Sequence, residues 1–228
     1  MGNELIGNGA DNVLDGAAGA DLMAGGAGDD LYWVDHAADV VVEQASEGMD
    51  TVMASVSYVL PDHVENLTLT GTAPGRNGTG NALDNVLTGN SARNVLTGGA
   101  GNDSYVWGRG WGTDRVEEND ATAGNRDVLQ LGPDVAPDQL WFQRIGDDLA
   151  LSVIGTTDTA VIANWYRGAQ FQVEEIRTDD GQALLARQVH LLVEAMASFS
   201  PPPLGQTSFT PNYQAALGGA IVANWTGL

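Results

Sequence analysis

Residues 7–33 read GNGADNVLD-GAAGADLMA-GGAGDDLYW and fall into three consecutive units of nine residues. A second set of three units occupies residues 80–106 and reads GNALDNVLT-GNSARNVLT-GGAGNDSYV. The last unit of each set matches the pattern G-G-x-G-x-D-x-U-x, in which U is a large apolar residue. A repeat of fixed period predicts a solenoid in which every unit contributes one loop and one short strand.

The residue types within each unit indicate metal binding. Glycine permits the tight turns that expose backbone carbonyls, and Asp or Asn at the sixth place supplies a side-chain oxygen. Shells made only of oxygen suit Ca²⁺, which accepts six to eight hard ligands, better than Mg²⁺, which demands a tighter octahedron. A single Gly-Asp loop is as consistent with an ordinary turn as with a metal site. Six units in phase, however, predict that the chain binds calcium.

The two sets resemble the RTX (repeats-in-toxin) parallel β-roll of proteins that Gram-negative bacteria export by type I secretion. In that family one coil of the roll holds two nonapeptides, so loops two units apart stack on one edge and bind ions between them. The resemblance implies three stacked pairs: Asn3 on Asp21, Asn12 on Asp30, and Asn85 on Asp103. Asp39 follows Asp21 by the same interval of two nonapeptides and would continue the stack by one turn.

The same resemblance implies the ligands of each ion. One loop gives carbonyls from its first, third and fifth places, and the loop one coil later gives two carbonyls and its sixth-place carboxylate. The best-formed site would combine Gly7, Gly9 and Asp11 with Gly26, Gly28 and Asp30, and its counterpart would combine Gly80, Ala82 and Asp84 with Gly99, Gly101 and Asp103. The remaining candidate ligands are Asn12, Ala17, Gly19, Asp21, Asp39 and Asn85.

Several loops depart from the repeat pattern. Glycine is lost at Ala17, Leu83 and Ala92. Arg93 stands at the fifth place of its loop, beside the expected position of a cation, so we predict weak or absent binding there. Asparagine replaces the sixth-place aspartate at Asn3, Asn12, Asn85 and Asn94.

The charge balance excludes several classes of function. The 228 residues contain 30 acidic and 9 basic side chains, so the chain would repel nucleic acids and anionic membranes. The absence of cysteine excludes disulfides, and bound calcium would stabilise the fold in their place. No signal peptide and no apolar stretch of transmembrane length is visible. We therefore expect neither nucleic acid as a partner nor membrane insertion, and we expect a larger N-terminal domain before Met1.

The rest of the sequence predicts a cap. Strand patterns occur at 128–131, 140–144, 149–154 and 160–165, and the turns between the last three predict a β meander. An apolar stripe from Leu184 to Met196 predicts a helix. A second helix is predicted over Tyr213–Trp225. Residues 127–166 resemble the haemolysin-type calcium-binding related domain, particularly in DQLWFQRIGDDL and NWY. The final stretch from Ser200 carries no charged side chain, which fits an export signal, a capping helix, or both.

The sequence leaves two possible roles for each of two further acidic residues. The segment MDTV at 49–52 follows Asp39 at the same interval at which TDRV at 113–116 follows Asp103, which indicates an internal duplication. Asp50 and Asp114 are therefore either additional ligands or turn residues. No catalytic motif is found, and His36, His63 and His190 lie in no ligand spacing.

The sequence thus predicts a mainly β protein: a parallel β-roll (RTX solenoid) over residues 1–126, then a β meander cap and C-terminal helices over 127–228. We expect a non-enzymatic, secreted or cell-surface, calcium-binding module that folds on calcium binding after passing the type I secretion machinery. Two alternatives remain. The chain is an accessory module of a secreted hydrolase or polysaccharide-modifying enzyme, or it is the spacer of a surface adhesin.

Overall fold

The computed structural model describes residues 1–227, which divide into two compact units. Unit 1 comprises Met1–Ser104 and unit 2 begins at Tyr105. The sequence-based boundary at residue 126 concerns the roll and its cap rather than these units, and it stays a prediction. Among the described residues, no helix has both the length and the apolar character needed to cross a membrane.

Unit 1 consists of short strands joined by loops, as the nonapeptide pattern predicts. The strands form three sheets, in the orders β1-β3-β5, β2-β4-β6-β8-β10 and β7-β9-β11, in which neighbours are parallel. The chain therefore winds as a parallel β-solenoid, which confirms the predicted fold. The strands are β1 (Glu4–Ile6), β2 (Val13–Asp15), β3 (Leu22–Ala24), β4 (Leu31–Val34), β5 (Val40–Val42), β6 (Thr51–Ala54), β7 (Tyr58–Val59), β8 (Asn66–Leu69), β9 (Arg76–Thr79), β10 (Val86–Thr88) and β11 (Asn94–Thr97).

The core of unit 1 contains a column of apolar side chains, one from each coil. In the shared register, Leu14 pairs with Tyr32, Tyr32 with Val52, Val52 with Leu67, and Leu67 with Leu87. None of the five is more than 4% exposed. Burial of each such side chain contributes roughly 1.5–3 kcal/mol. This column holds the strands in register, and the register fixes which loops stack on each other.

The length of one coil follows the repeat where nonapeptides are present. Val13 pairs with Leu31, at the interval that two units of nine require. Leu31 then pairs with Thr51 across a longer coil, and Thr51 pairs with Asn66 across a shorter one. The strands therefore remain in register between the two repeat sets, while the loops that join them change in length.

Unit 2 is built from two groups of strands and two helices. Strands β15, β16 and β17 form the antiparallel meander that the sequence predicts, and β17 continues in parallel with β13. Strands β14, β18, β19 and β20 form the second group. The elements are β12 (Ser104–Trp107, within which unit 2 begins), β13 (Thr113–Val116), β14 (Val128–Leu131), β15 (Leu140–Ile145), β16 (Asp148–Val153), β17 (Thr159–Ile162), β18 (Glu175–Arg177), β19 (Gln182–Leu185), α1 (Ala186–Met196), α2 (Pro211–Asn224) and β20 (Thr226–Gly227), with 3₁₀ turns at Pro137–Gln139, Trp165–Arg167 and Ala169–Phe171.

Two element boundaries in unit 2 differ from the sequence prediction. Leu184 begins the predicted helical stripe but lies in β19, where it pairs with Ile176 of β18 and is fully buried, so α1 starts only at Ala186. The predicted strand at 160–165 stops at Ile162. Asn164 adopts a left-handed φ of 56° and donates its backbone N–H to Asp148 Oδ1 at 2.7 Å, which turns the chain into the 3₁₀ segment that contains Trp165.

Candidate metal centre

The three stacked pairs implied by the sequence are all brought together in unit 1. In each pair the backbone N–H of the asparagine donates to Oδ1 of the aspartate one coil later. The distances are 2.6 Å for Asn3 to Asp21, 2.6 Å for Asn12 to Asp30, and 2.8 Å for Asn85 to Asp103. The sixth-place side chain therefore links its own coil to the preceding one, which fixes the spacing of the loops along that edge.

Three loops share a backbone form that we call the open loop: residues 16–21, 25–30 and 98–103. Each has a positive φ at its second and fourth places and an aspartate at its sixth. Glycine adopts this conformation without strain, and five of the six positions are glycine. The φ values are 55° at Ala17, 153° at Gly19, 92° at Gly26, 122° at Gly28, 117° at Gly99 and 112° at Gly101.

Glycine at the first place of an open loop is required by a close approach. A methyl group on Gly25 would overlap the carboxylate of Asp30 and the hydroxyl of Tyr32. A methyl group on Gly16 would likewise meet the side chain of Asp21. The aspartate therefore folds back over the start of its own loop, and this places a carboxylate against the turn.

The carboxylates of two open loops are buried, and only one oxygen of each accepts a hydrogen bond. Asp21 and Asp30 are each 2% exposed, and in both the Oδ2 atom accepts no hydrogen bond from the described residues. Burial raises the pKa of Asp30, the hydrogen bond from Asn12 lowers it, and the neighbouring charge of Asp11 raises it further. A buried carboxylate with an open oxygen is costly unless a cation compensates it. The site therefore fits Ca²⁺, which binds carboxylate and carbonyl oxygens.

The other three nonapeptide loops, residues 7–12, 80–85 and 89–94, are closed differently. In these loops the residue at the second place is asparagine, and its backbone N–H donates to Oδ1 of the sixth-place asparagine. The distances are 2.8 Å for Asn8 to Asn12, 2.7 Å for Asn81 to Asn85 and 2.8 Å for Asn90 to Asn94. We call these amide-locked loops, because a side-chain amide closes each turn.

The carboxamide of the sixth-place asparagine also bonds to the preceding coil. Asn94 Nδ2 donates to the carbonyl of Arg76 at 2.8 Å, and Asn85 Nδ2 donates to the carbonyl of Glu65 at 3.1 Å. Aspartate has no such donor. At these two loops the sixth-place side chain thus presents an N–H donor where an aspartate would present a second carboxylate oxygen. The sequence predicts weak binding at 89–94 because of Arg93, and the structure adds the amide of Asn94 as a second reason.

Other predicted ligands act as links between coils. Asp11 Oδ1 accepts the N–H of Asp29 at 2.9 Å, and Asp84 Oδ1 accepts the N–H of Asn102 at 2.7 Å. The predicted continuation of the stack at Asp39 is present, because Asp39 Oδ1 accepts the N–H of Asp21 at 3.0 Å.

Asp39 differs from Asp21 and Asp30 in its second oxygen. Its Oδ2 atom accepts the N–H groups of Asp35 and His36 at 3.1 and 3.0 Å, so both of its oxygens are occupied within the chain. Glu43 is a buried acidic residue that the sequence analysis does not select. It lies beyond the last unit that matches the nonapeptide pattern, so the repeat does not mark it as a ligand.

Two family patterns match the chain. The family described as RTX calcium-binding nonapeptide repeat (4 copies) matches residues 2–32 and 79–116. The haemolysin-type calcium binding protein related domain matches residues 148–186, later than the stretch at 127–166 that the sequence suggests. Both matches confirm the resemblance stated from the sequence, and both families imply calcium binding.

Curated relatives match little more than a third of the chain. The chain is 39% identical over 89 residues to endo-1,3-1,4-beta-glycanase ExsH of Rhizobium meliloti (strain 1021), which covers 35% of the chain and 19% of that protein. Iron-regulated protein FrpA of Neisseria meningitidis serogroup C is 28% identical over 94 residues, 40% of the chain and 8% of that protein. The chain therefore spans a fifth or less of these relatives. Among solved structures, extracellular lipase LipA from Serratia marcescens matches at a TM-score of 0.37 and 14% identity, over 70% of this chain and 36% of that one.

Proposed function

Because this chain is an RTX region with calcium-binding nonapeptide repeats and a haemolysin-type calcium-binding related domain, we propose that it is a calcium-dependent folding module of an exported bacterial protein. One observation carries this proposal. The carboxylates of Asp21 and Asp30 are buried in unit 1, and each has an oxygen that accepts no hydrogen bond from the described residues. A cation completes both groups, and without one their burial opposes folding.

The free energy of folding in unit 1 depends on charge and chain entropy. Ordering a glycine-rich loop costs more conformational entropy than ordering other sequences. Unit 1 also carries many carboxylates against only two arginines, Arg76 and Arg93, so the metal-free chain repels itself. Binding of calcium contributes directly to the folding free energy when the site forms only in the folded state. Order would then pass from coil to coil, since each repeat contacts its neighbours.

This dependence couples folding to export. In the cytosol free calcium is scarce, so the acidic loops stay disordered and the chain can pass a type I secretion channel. Outside the cell calcium is abundant, so the loops order and the module cannot return. The folded module would then stabilise or cap a larger extracellular or cell-surface protein. The short share of each relative that the chain spans supports this part of the proposal.

The proposal is tested by far-UV circular dichroism of the full chain. We expect a largely disordered spectrum in chelator and a gain of β structure in millimolar calcium. Magnesium at the same concentration is the control and should produce little change, because it keeps its water shell and a tighter octahedron. Identical spectra in chelator and in calcium would contradict the proposal.

A second candidate function is that of an accessory module in a secreted polysaccharide-degrading enzyme. The names of two relatives favour it, since both ExsH and EglC of Rhizobium meliloti (strain 1021) are endo-1,3-1,4-beta-glycanases. The test is release of reducing sugar from mixed-linkage β-glucan by the complete protein, with and without this region. Loss of calcium-dependent activity on removal of the region would support the accessory role, and an inactive complete protein would refute it.

A further inference from the structure

Three acidic side chains meet inside unit 1, next to the open loop at 25–30. One carboxylate oxygen from each of Asp30, Glu43 and Asp50 lies within 4.8 Å of the other two. The three residues are 2%, 5% and 1% exposed. Like charges at this separation repel strongly when they are shielded from water. Such a cluster requires a compensating positive charge or protonation.

Each of the three carboxylates has one oxygen held in place and one open. Asp30 Oδ1 accepts the N–H of Asn12, and Asp50 Oδ1 accepts the N–H of Asp30 at 2.9 Å. Glu43 Oε1 accepts the hydroxyl of Tyr32. The second oxygens, Asp30 Oδ2, Glu43 Oε2 and Asp50 Oδ2, accept no hydrogen bond from the described residues. The cluster therefore presents three fixed, unsatisfied acceptors to one another.

No side chain of unit 1 neutralises this charge. The only arginines of unit 1 are Arg76 and Arg93, and none of the ion pairs of the described residues includes a member of the cluster. Burial, together with the charges of Asp50 and Asp30, raises the pKa of Glu43 to about 7. Burial also raises the pKa of Asp50 to about 6, with further contributions from Glu65 and Asp30.

We propose that Asp30, Glu43 and Asp50 bind one calcium ion between the open loop at 25–30 and the longer loop at 43–50. The site lies largely beyond the nonapeptide repeats, whose first matched stretch ends at residue 32. It rests on the proposed function, because Asp30 contributes here the same open oxygen that the open loop presents to a cation. Ligand atoms across a calcium ion are separated by up to about 5 Å, given Ca–O distances near 2.5 Å. An oxygen-only set without nitrogen or sulfur likewise favours calcium over zinc.

Tyr32 is a positioning residue for this site. Its hydroxyl accepts the N–H of Gly25 at 2.7 Å and donates to Glu43, so it holds the glutamate against the loop. The same pairing of side chains recurs in unit 2, where the hydroxyl of Tyr105 donates to Glu118. Both tyrosines are fully buried. Donation from a buried tyrosine is thus a repeated device for fixing a buried glutamate.

The experiment compares Glu43→Gln with the wild-type chain. Glutamine keeps the length of the side chain and an oxygen that accepts from Tyr32, but it removes the charge. Glu4→Gln is the matched control, because Glu4 is an exposed residue of β1 and loses the same charge. The measurement is calorimetric titration with calcium, combined with the unfolding free energy at a series of calcium concentrations. The slope of that free energy against the logarithm of calcium concentration counts the ions bound on folding.

We expect Glu43→Gln to bind one calcium ion fewer than the wild type and to lower the slope by one ion, while Glu4→Gln changes neither. A purely structural role for Glu43 would shift the free energy without changing the slope, and that result would overturn the site. If Glu43→Gln does not fold, Asp50→Asn provides the same measurement. Failure of both to fold at saturating calcium also overturns the site, because the nonapeptide loops should still drive folding. If the wild type neither binds calcium nor folds with it, the proposed function itself fails.

Discussion

The backbone N–H of Asp30 donates to Oδ1 of Asp50 at 2.9 Å, although the two residues belong to successive coils. The same kind of bond runs from Asn12 to Asp30 and from Asp50 to Glu65. One side chain after another thus joins each coil to the next along a single edge of unit 1. An ion that fixes one carboxylate also fixes the bond to the preceding coil, so we expect calcium binding to be cooperative.

The substitution Asp30→Ala should lower the affinity for calcium and reduce the cooperativity of binding. It removes an open carboxylate oxygen and also the bond that joins Asn12 to the next coil. Calorimetric titration checks this, with Asp62→Ala as the control, because Asp62 is exposed and lies outside the nonapeptide loops. Equal titration curves for Asp30→Ala and the wild type would show that the open loops do not hold the ions.

The substitution Asn94→Ala should leave the number of bound calcium ions unchanged but destabilise the folded chain by roughly 1–3 kcal/mol. Asn94 is buried, donates to the carbonyl of Arg76 and accepts from Asn90, and alanine replaces neither bond. Chemical denaturation at saturating calcium measures the loss, and Asn77→Ala, on the exposed side of β9, is the control. A lower calcium stoichiometry for Asn94→Ala would refute the distinction between amide-locked and open loops.

Replacing Ala17 by glycine should stabilise unit 1 by about 1 kcal/mol at a fixed calcium concentration. Ala17 has a left-handed φ of 55° within an open loop, a conformation that costs alanine energy and glycine none. The midpoint of thermal unfolding reports the change. Ala18→Gly, at the next position and without a positive φ, should lower stability slightly. A fall in stability for Ala17→Gly would show that this alanine is not strained.

Glu175 in unit 2 gives a prediction on pH. Its side chain is fully buried, and burial raises the pKa of its carboxyl group. The hydrogen bonds from Arg177 and Arg126 outweigh this effect, so the pKa of Glu175 lies below the usual glutamate value. A lowered pKa contributes stability above the ordinary glutamate pKa, and that stability is lost as pH falls through the folded value. We expect Glu175→Gln to cost roughly 1–3 kcal/mol at neutral pH.

This cost should shrink as the pH falls below about 4, because the wild-type carboxylate is then protonated as well. Urea unfolding of both chains over a pH series measures the difference, and Glu194→Gln on the exposed face of α1 controls for loss of a charge. A difference between Glu175→Gln and the wild type that stays constant with pH would contradict the assignment of Glu175 to an ion pair.

The fold of unit 1 could be predicted from the sequence because the nonapeptide period and the placement of apolar residues both indicate a parallel β-solenoid. The apolar residues near the end of each unit set the strands, and the interval of two nonapeptides per coil brings Leu14 beside Tyr32. The roles of the sixth-place residues could not be predicted fully. From the sequence, Asn94 is predicted to be a weak ligand. In the structure its side-chain amide donates to the backbone carbonyl of Arg76 in the preceding coil. That bond depends on which coil lies below, which only the assembled solenoid reveals.

Strand pairing and loop length account for the other differences between the sequence prediction and the structure. Leu184 fits the helical stripe, but its pairing with Ile176 draws it into a strand. The sequence did not indicate Glu43 as a ligand, because the loop at 43–50 is longer than a nonapeptide loop and lacks the glycine pattern of such loops. The burial of Glu43 beside Asp30 follows from the return of the chain over the preceding coil, and a one-dimensional pattern does not report that contact.

Hydrogen–deuterium exchange of the backbone amides in residues 7–50 shows whether calcium orders the stacked loops of unit 1. The amides of Asn12, Asp21 and Asp30 donate to carboxylates of the next coil, so they should be protected only when those coils are formed. We expect slow exchange of peptides from this stretch in calcium and rapid exchange in chelator or in magnesium. Equal protection of these peptides in calcium and in chelator would contradict this expectation.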